Sequence, residues 1–195
     1  CWSLVGSEMC IRDRDRAVHW SQVTRNVIPG GKTQDSPVLM TSDGFSPLFS
    51  VMVPSAIKGE NIAKGESFWS GKKGNKVIAD HLSIVDDGLM HGGMSSGSRD
   101  GEGIPSRRQD IVESGRLVGE LWSTRESAKM VAEGKIEFAS TTGSASRKGH
   151  TAPPVCGCRD LVLSSSDKTY SRDRLIEEMD QGYVIHSVMG AHTAN

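Results

Sequence analysis

DGEGIPSRRQDIVESGRLVG, residues 100–119, decides the reading of the fold. An acidic, glycine-rich turn leads into Ile104-Pro105, and a run of strand character follows with Ile111 and Val112 near its end. Glu113-Ser114-Gly115-Arg116 predicts a tight reversal, because glycine accepts the positive φ that such a turn needs. Leu117, Val118, Leu121 and Trp122 carry the chain back as a second strand with one apolar face. A hairpin alone is marginal in water, so more sheet or a helix must cover that face.

The flanking sequence can supply both. Upstream, Leu82-Ser83-Ile84-Val85 reads as a strand closed by Asp86-Asp87-Gly88. A long Gly/Ser-rich loop follows over residues 92–103. Downstream, Ser123 or Thr124 caps a helix with Glu126 in its first turn and Met130 and Val131 along it, and Gly134 stops it. Leu161-Val162-Leu163 is a short strand. Ser171 caps a helix with Leu175, Ile176 and Met179 inward, and residues 183–188 form a last strand. Nearer the N-terminus, Val38-Leu39-Met40 reads as a short strand. Ser46 reads as an N-cap, with Pro47 at the first helical position. Pro54 then has to kink that helix or break it in two. This order predicts an α+β fold, a mainly antiparallel β domain with a few helices.

Composition bounds the rest. The 195 residues are 36% hydrophobic and only 5% aromatic, so the core is aliphatic and modest. A formal net charge of −1 provides no electrostatic basis for binding nucleic acid or an anionic membrane. No apolar run approaches the ~18 residues that span a bilayer. The four cysteines, at positions 1, 10, 156 and 158, do not form a disulfide framework. A cytoplasmic location is the default expectation.

Metal and nucleophile motifs are weak. His150, Cys156 and Cys158 lie within nine residues and are suitable zinc ligand types, but C-x-C wraps one ion poorly and no second pair appears. His186 and His192 share an ion only if the chain turns at Gly190. No histidine is followed by glutamate, so H-E-x-x-H is absent, and so is G-x-S-x-G. Gly71–Gly74 encloses two lysines but lacks the P-loop spacing. Asp100 and Glu102 read equally as a carboxylate pair or as a turn bonding its own backbone.

Several stretches taken in order resemble the TldD/PmbA family, also called the modulator of DNA gyrase family. They are SAIKGENIAKGESF (55–68), LSIVDDGL (82–89), DGEGIPSRR (100–108), IVESGRLVGELW (111–122), STTGSASR (140–147) and VMGAHTAN (188–195). The resemblance covers roughly residues 38–195. It implies metallopeptidases acting on small or unfolded polypeptides, in which two related subunits enclose a cavity. One subunit has a helix bearing HExxxH, which supplies zinc ligands and the general base; the PmbA-like subunit lacks it. The corresponding helix here is about residues 54–59, PSAIKG, without His or Glu at the needed places. The resemblance therefore points to the PmbA-like branch. No catalytic residue is carried over, this chain holds no cofactor, and zinc is expected in a partner subunit. The implied partners are a peptide or unfolded polypeptide and a related subunit, as a hetero- or homodimer. Thr142, Gly143 and Arg147 read either as substrate contacts, Arg147 pairing with a peptide carboxylate, or as loop architecture. A non-catalytic peptide-binding or scaffold protein on the same fold is the alternative.

Three segments are expected. Residues 1–14 include SLVGSEMCIRDR, which resembles a translated sequencing adaptor of the kind found at the ends of genes predicted from assembled environmental reads. Residues 15–44 read as the remnant of an upstream region, and 45–195 as the TldD/PmbA-like domain, incomplete at its C-terminus. A truncated sheet should leave the edges at residues 161–163 and 184–188 unpaired, and the chain poorly soluble.

Overall fold

The computed structural model describes residues 2–26 and 35–190. The chain forms two compact units, one up to Ser36 and one from Pro37 onward. The first contains helix α1 (Trp2–Val23), followed by a 3₁₀ turn at Thr24–Asn26. Its last turns are held partly by side chains, with Ser21 Oγ donating to Val18 O and Thr24 Oγ1 to Trp20 O.

The second unit is α+β. A four-stranded antiparallel sheet is built from β2 (Leu82–Asp87), β3 (Arg108–Glu113), β4 (Arg116–Leu117) and β7 (Leu161–Ser165), in the order β4-β3-β2-β7. The predicted hairpin is its centre. Ser114 and Gly115 both have positive φ, 45° and 79°, the signature of a two-residue turn whose twist matches the strands. A β-carbon on Gly115 would also lie 2.8 Å from Ile78 O, so position 115 excludes any side chain on two counts. The return strand is shorter than expected. After Leu117 the chain leaves the ladder, and Leu121 N–H bonds Ile57 O at 2.8 Å instead.

Two small ladders complete the unit. Strand β1 (Val38–Met40) pairs in parallel with β8 (Tyr183–Ile185), and β5 (Ala145–Ser146) pairs antiparallel with β6 (Val155–Cys156). The edges expected to be unpaired each have a partner on one side. Residues 161–165 pair with β2, and residues 183–185 with β1.

Four helices flank these strands: α2 (Ser42–Ala56), α3 (Gly59–Lys64), α4 (Thr124–Ala132) and α5 (Arg172–Met179). Caps at Ser123 and Ser171 match expectation, each hydroxyl accepting an N–H three residues on. Helix α2 differs. Its N-cap is Thr41, which accepts Gly44 N–H, and both Pro47 and Pro54 lie inside it. The pattern does break in two, but at Ile57-Lys58, just beyond Pro54. In α5 Leu175 and Met179 are half-buried while Ile176 is exposed, so only part of the expected face turns inward.

The core gathers Val53, Ala56 and Ile57 from the end of α2 and its cap, Ile84, Ile111, Val112 and Leu117 from the sheet, and Trp69, Leu121 and Cys156. Each fully buried aliphatic side chain contributes about 1.5–3 kcal/mol.

Candidate polar cleft and apolar groove

Strand β2 ends in two aspartates with different roles. Asp87 Oδ1 accepts Leu89 N–H at 3.0 Å, the turn chemistry expected of both. Asp86 is fully buried. Its Oδ1 accepts Arg159 N–H at 2.7 Å, and Ser144 Oγ donates to its Oδ2 at 3.4 Å. Burial pushes its carboxyl up to about 6, and the bonds from Arg159 and Ser144 only partly offset this. Asp86 thus ties the sheet to the segment before β5 and the segment after β6.

The acidic turn at 100–103 resolves as backbone chemistry. Asp100 Oδ1 accepts the N–H groups of Glu102 and Ile104, and its Oδ2 accepts Ala145 N–H at 3.0 Å. Glu102 spreads its two oxygens over Thr124 N–H (2.7 Å) and Arg125 N–H (3.1 Å), at the start of α4.

These ties shape a polar cleft of about 350 Å³. Arg99, Arg147, Arg159, Ser95, Ser146 and Cys158 are among the residues lining it. Arg147 donates from Nε to Gly101 O at 2.7 Å and from Nη1 to Ala152 O. Arg99 donates to Gly103 O at 2.7 Å. Thr142 and Gly143 lie away from the lining. The Thr142 hydroxyl accepts Trp122 N–H at 2.9 Å and sits 3.0 Å from Ser144 Oγ. Gly143, at φ 69°, leaves no room for a β-carbon, which would lie 2.4 Å from Pro105 O. Both make contacts that hold the loop, and of the three sequence candidates only Arg147 lines the cleft. Arg99 and Arg159 carry no local sequence signal, because each belongs to a different loop that only tertiary pairing brings here.

The metal candidates separate. His150 is exposed, Cys156 is a core residue and Cys158 is half-buried. Burial pushes both thiols up, with nearby carboxylates adding to the effect. Among the described residues no three His, Cys, Asp or Glu side chains are grouped to hold an ion. Residues 54–58, at the end of α2 and through Lys58, carry no His or Glu, so this segment does not fit the zinc of the resembled family. His192 lies outside the described residues.

A second concavity, of about 340 Å³, is apolar. Phe45, Phe49, Met52, Phe68, Trp69 and Leu163 contribute to its wall. Phe68 and Met52 are half exposed, at 51% and 53%. No helix among the described residues is long and apolar enough to cross a membrane.

Comparison with known proteins agrees with this architecture. The crystal structure of TldE from Thermococcus kodakarensis superposes with a TM-score of 0.75 at 27% identity, covering 93% of this chain and 39% of that one. A Thermotoga maritima structure titled a modulator of a DNA gyrase has a TM-score of 0.66 at 32% identity, covering 87% and 35%. A metalloprotease PmbA homolog of Buchnera aphidicola is 23% identical over 82% of this chain and 31% of its own length. The chain thus spans about a third of the length of the curated relatives it matches. The family model of the PmbA/TldA metallopeptidase C-terminal domain matches residues 33–195, and the chain belongs to that family.

Proposed function

We propose that this chain is part of a PmbA-like subunit of a cytoplasmic metallopeptidase that processes small or unfolded polypeptides. Its work is to complete the peptide chamber and the dimer interface, while a related subunit carries HExxxH and zinc. The observation that carries this reading is the pairing of family membership with a zinc-ligand helix lacking His: α2 ends in Pro54-Ser55-Ala56 and the chain continues through Ile57-Lys58 into α3. A hydrolytic zinc site needs about three protein ligands and an open position, and these residues offer none of the imidazoles. The cleft and the groove are then surfaces for binding rather than chemistry.

The test is co-expression of the full-length chain with an HExxxH-bearing relative. Alone, the chain is expected to hold no stoichiometric zinc and to leave an unstructured polypeptide intact. The pair is expected to cleave it. Zinc and cleavage by the chain alone overturn the proposal. No cleavage with any such relative supports the non-catalytic peptide-binding alternative.

A further inference from the structure

We infer that the cleft between Arg99, Arg147 and Arg159 binds a carboxylate, specifically the C-terminal carboxylate of a peptide, an inference that rests on the peptide-binding reading above. Three guanidinium groups border one concavity of about 350 Å³. Among the described residues, none of the three is ion-paired with a carboxylate, although other arginines are, as in Arg108–Asp87 and Arg174–Glu178. The acids at the cleft, Asp100 in its lining among them, are already occupied. Asp100 takes three main-chain N–H groups, Asp160 takes Ser95 N–H and Ser96 Oγ–H, and Asp86 takes Arg159 N–H and Ser144 Oγ–H.

Arg159 is the centre of the argument. Its main-chain N–H is spent on Asp86, toward which its guanidinium is also drawn electrostatically; the side chain has no hydrogen bond or close ion pair among the described residues, and its Nε is buried without an acceptor. A buried donor left unpaired is costly, more so when charged, and an anion against the guanidinium removes that cost. The arginine stems are held by close loop packing. A β-carbon on Gly88 would stand 3.4 Å from Arg159 Cγ, and one on Gly101 3.2 Å from Arg147 Cγ. The hydroxyls of Ser95 and Ser146, also in the lining, are further donors. Planar forks of this kind match an oxyanion with two parallel N–H bonds. An inorganic oxyanion shares that chemistry. The peptide terminus is the choice because it is the one anion every linear peptide carries whatever its sequence, which suits a chamber with little sequence preference.

The experiment is calorimetric titration of the full-length protein with acetyl-tetraalanine as free acid, with the same peptide as C-terminal amide, and with inorganic phosphate. The free acid is expected to bind about tenfold or more tightly than the amide. Arg159→Gln and, separately, Arg99→Gln should cut that preference to below about threefold while amide binding persists. Arg99 is exposed and makes one side-chain bond, to Gly103 O, so its variant serves if Arg159→Gln fails to fold. Equal binding of acid and amide overturns the carboxylate site and leaves peptide binding standing. Phosphate that displaces the free acid at equal concentration makes this a general oxyanion site and overturns the peptide assignment. No binding of either peptide overturns both this inference and the peptide-binding reading beneath it.

Discussion

Asp86 and Arg159 meet through a 2.7 Å bond from the arginine's main-chain N–H to the aspartate's Oδ1, and the aspartate has no solvent exposure. The bond fastens the central sheet to the loop that presents the cleft. Its energetics depend on pH. The Asp86 carboxyl sits at about 6 in the fold against 3.8 for the ordinary group, so the folded chain holds the extra proton between those values. Stability from this group is greatest below pH 3.8, falls as pH rises to about 6, and is flat above that. The cost at neutral pH is about 3 kcal/mol. Asp86→Asn keeps an acceptor for Arg159 N–H and cannot ionise. Relative to wild type it is expected to gain about 1 kcal/mol between pH 5 and 7.5 in urea unfolding. A wild-type-to-variant difference that does not change over that range would show that Asp86 is not strained by its burial.

Gly59 is a packing requirement. A β-carbon there would fall 1.9 Å from Cε2 of Trp122, inside the indole itself. Gly59→Ala is expected to destabilise the domain by about 1–3 kcal/mol or more, and adding Trp122→Leu should recover part of the loss. Denaturant midpoints of the two single variants and the double variant measure the coupling. Strict additivity of the two losses would refute the contact.

Glu102 caps α4 from a distant loop. Its carboxylate accepts Thr124 N–H at 2.7 Å and Arg125 N–H at 3.1 Å, next to the helix's positive end. Glu102→Ala should lower stability by about 1–2 kcal/mol, seen as a drop in Tm, whereas Glu102→Asp, one methylene short, should lose only part of that. An unchanged Tm in the alanine variant would mean that water replaces the carboxylate without penalty.

Solubility is expected to depend on the groove more than on the strand edges. Residues 161–165 and 183–185 each have a strand partner, whereas Phe68, Met52 and Phe45 stand exposed around an apolar concavity. Patches of this kind drive association and bind apolar dyes. Met52→Lys is expected to reduce dye fluorescence and light scattering without lowering Tm, because Met52 is 53% exposed. Equal dye binding by the variant would place the sticky surface elsewhere.

What the sequence determined by itself is local. The Ser114-Gly115 reversal and the hydroxyl caps at Ser123 and Ser171 matched the fold, and the strand expected over 82–85 formed and runs on through Asp86 and Asp87, because each rests on chemistry within a few residues. The ordered motifs were enough to indicate the family as well. Where two local solutions competed, the tertiary structure chose. Thr41 and Ser46 are both competent N-caps, and Thr41 prevails because its N–H and hydroxyl also bond Ile185 O and His186 O across the β1–β8 pairing. The same reason separates Asp86 from Asp87. They are neighbours of identical chemistry, but one faces solvent-side turn backbone and the other is buried against the loop holding Arg159. The cleft itself could not be read in advance, since its three arginines lie in separate loops and converge only when β2, β5 and β6 are assembled. Convergence of that kind is set by long-range pairing and by the burial it enforces, and neither has a signature in any window of neighbouring residues.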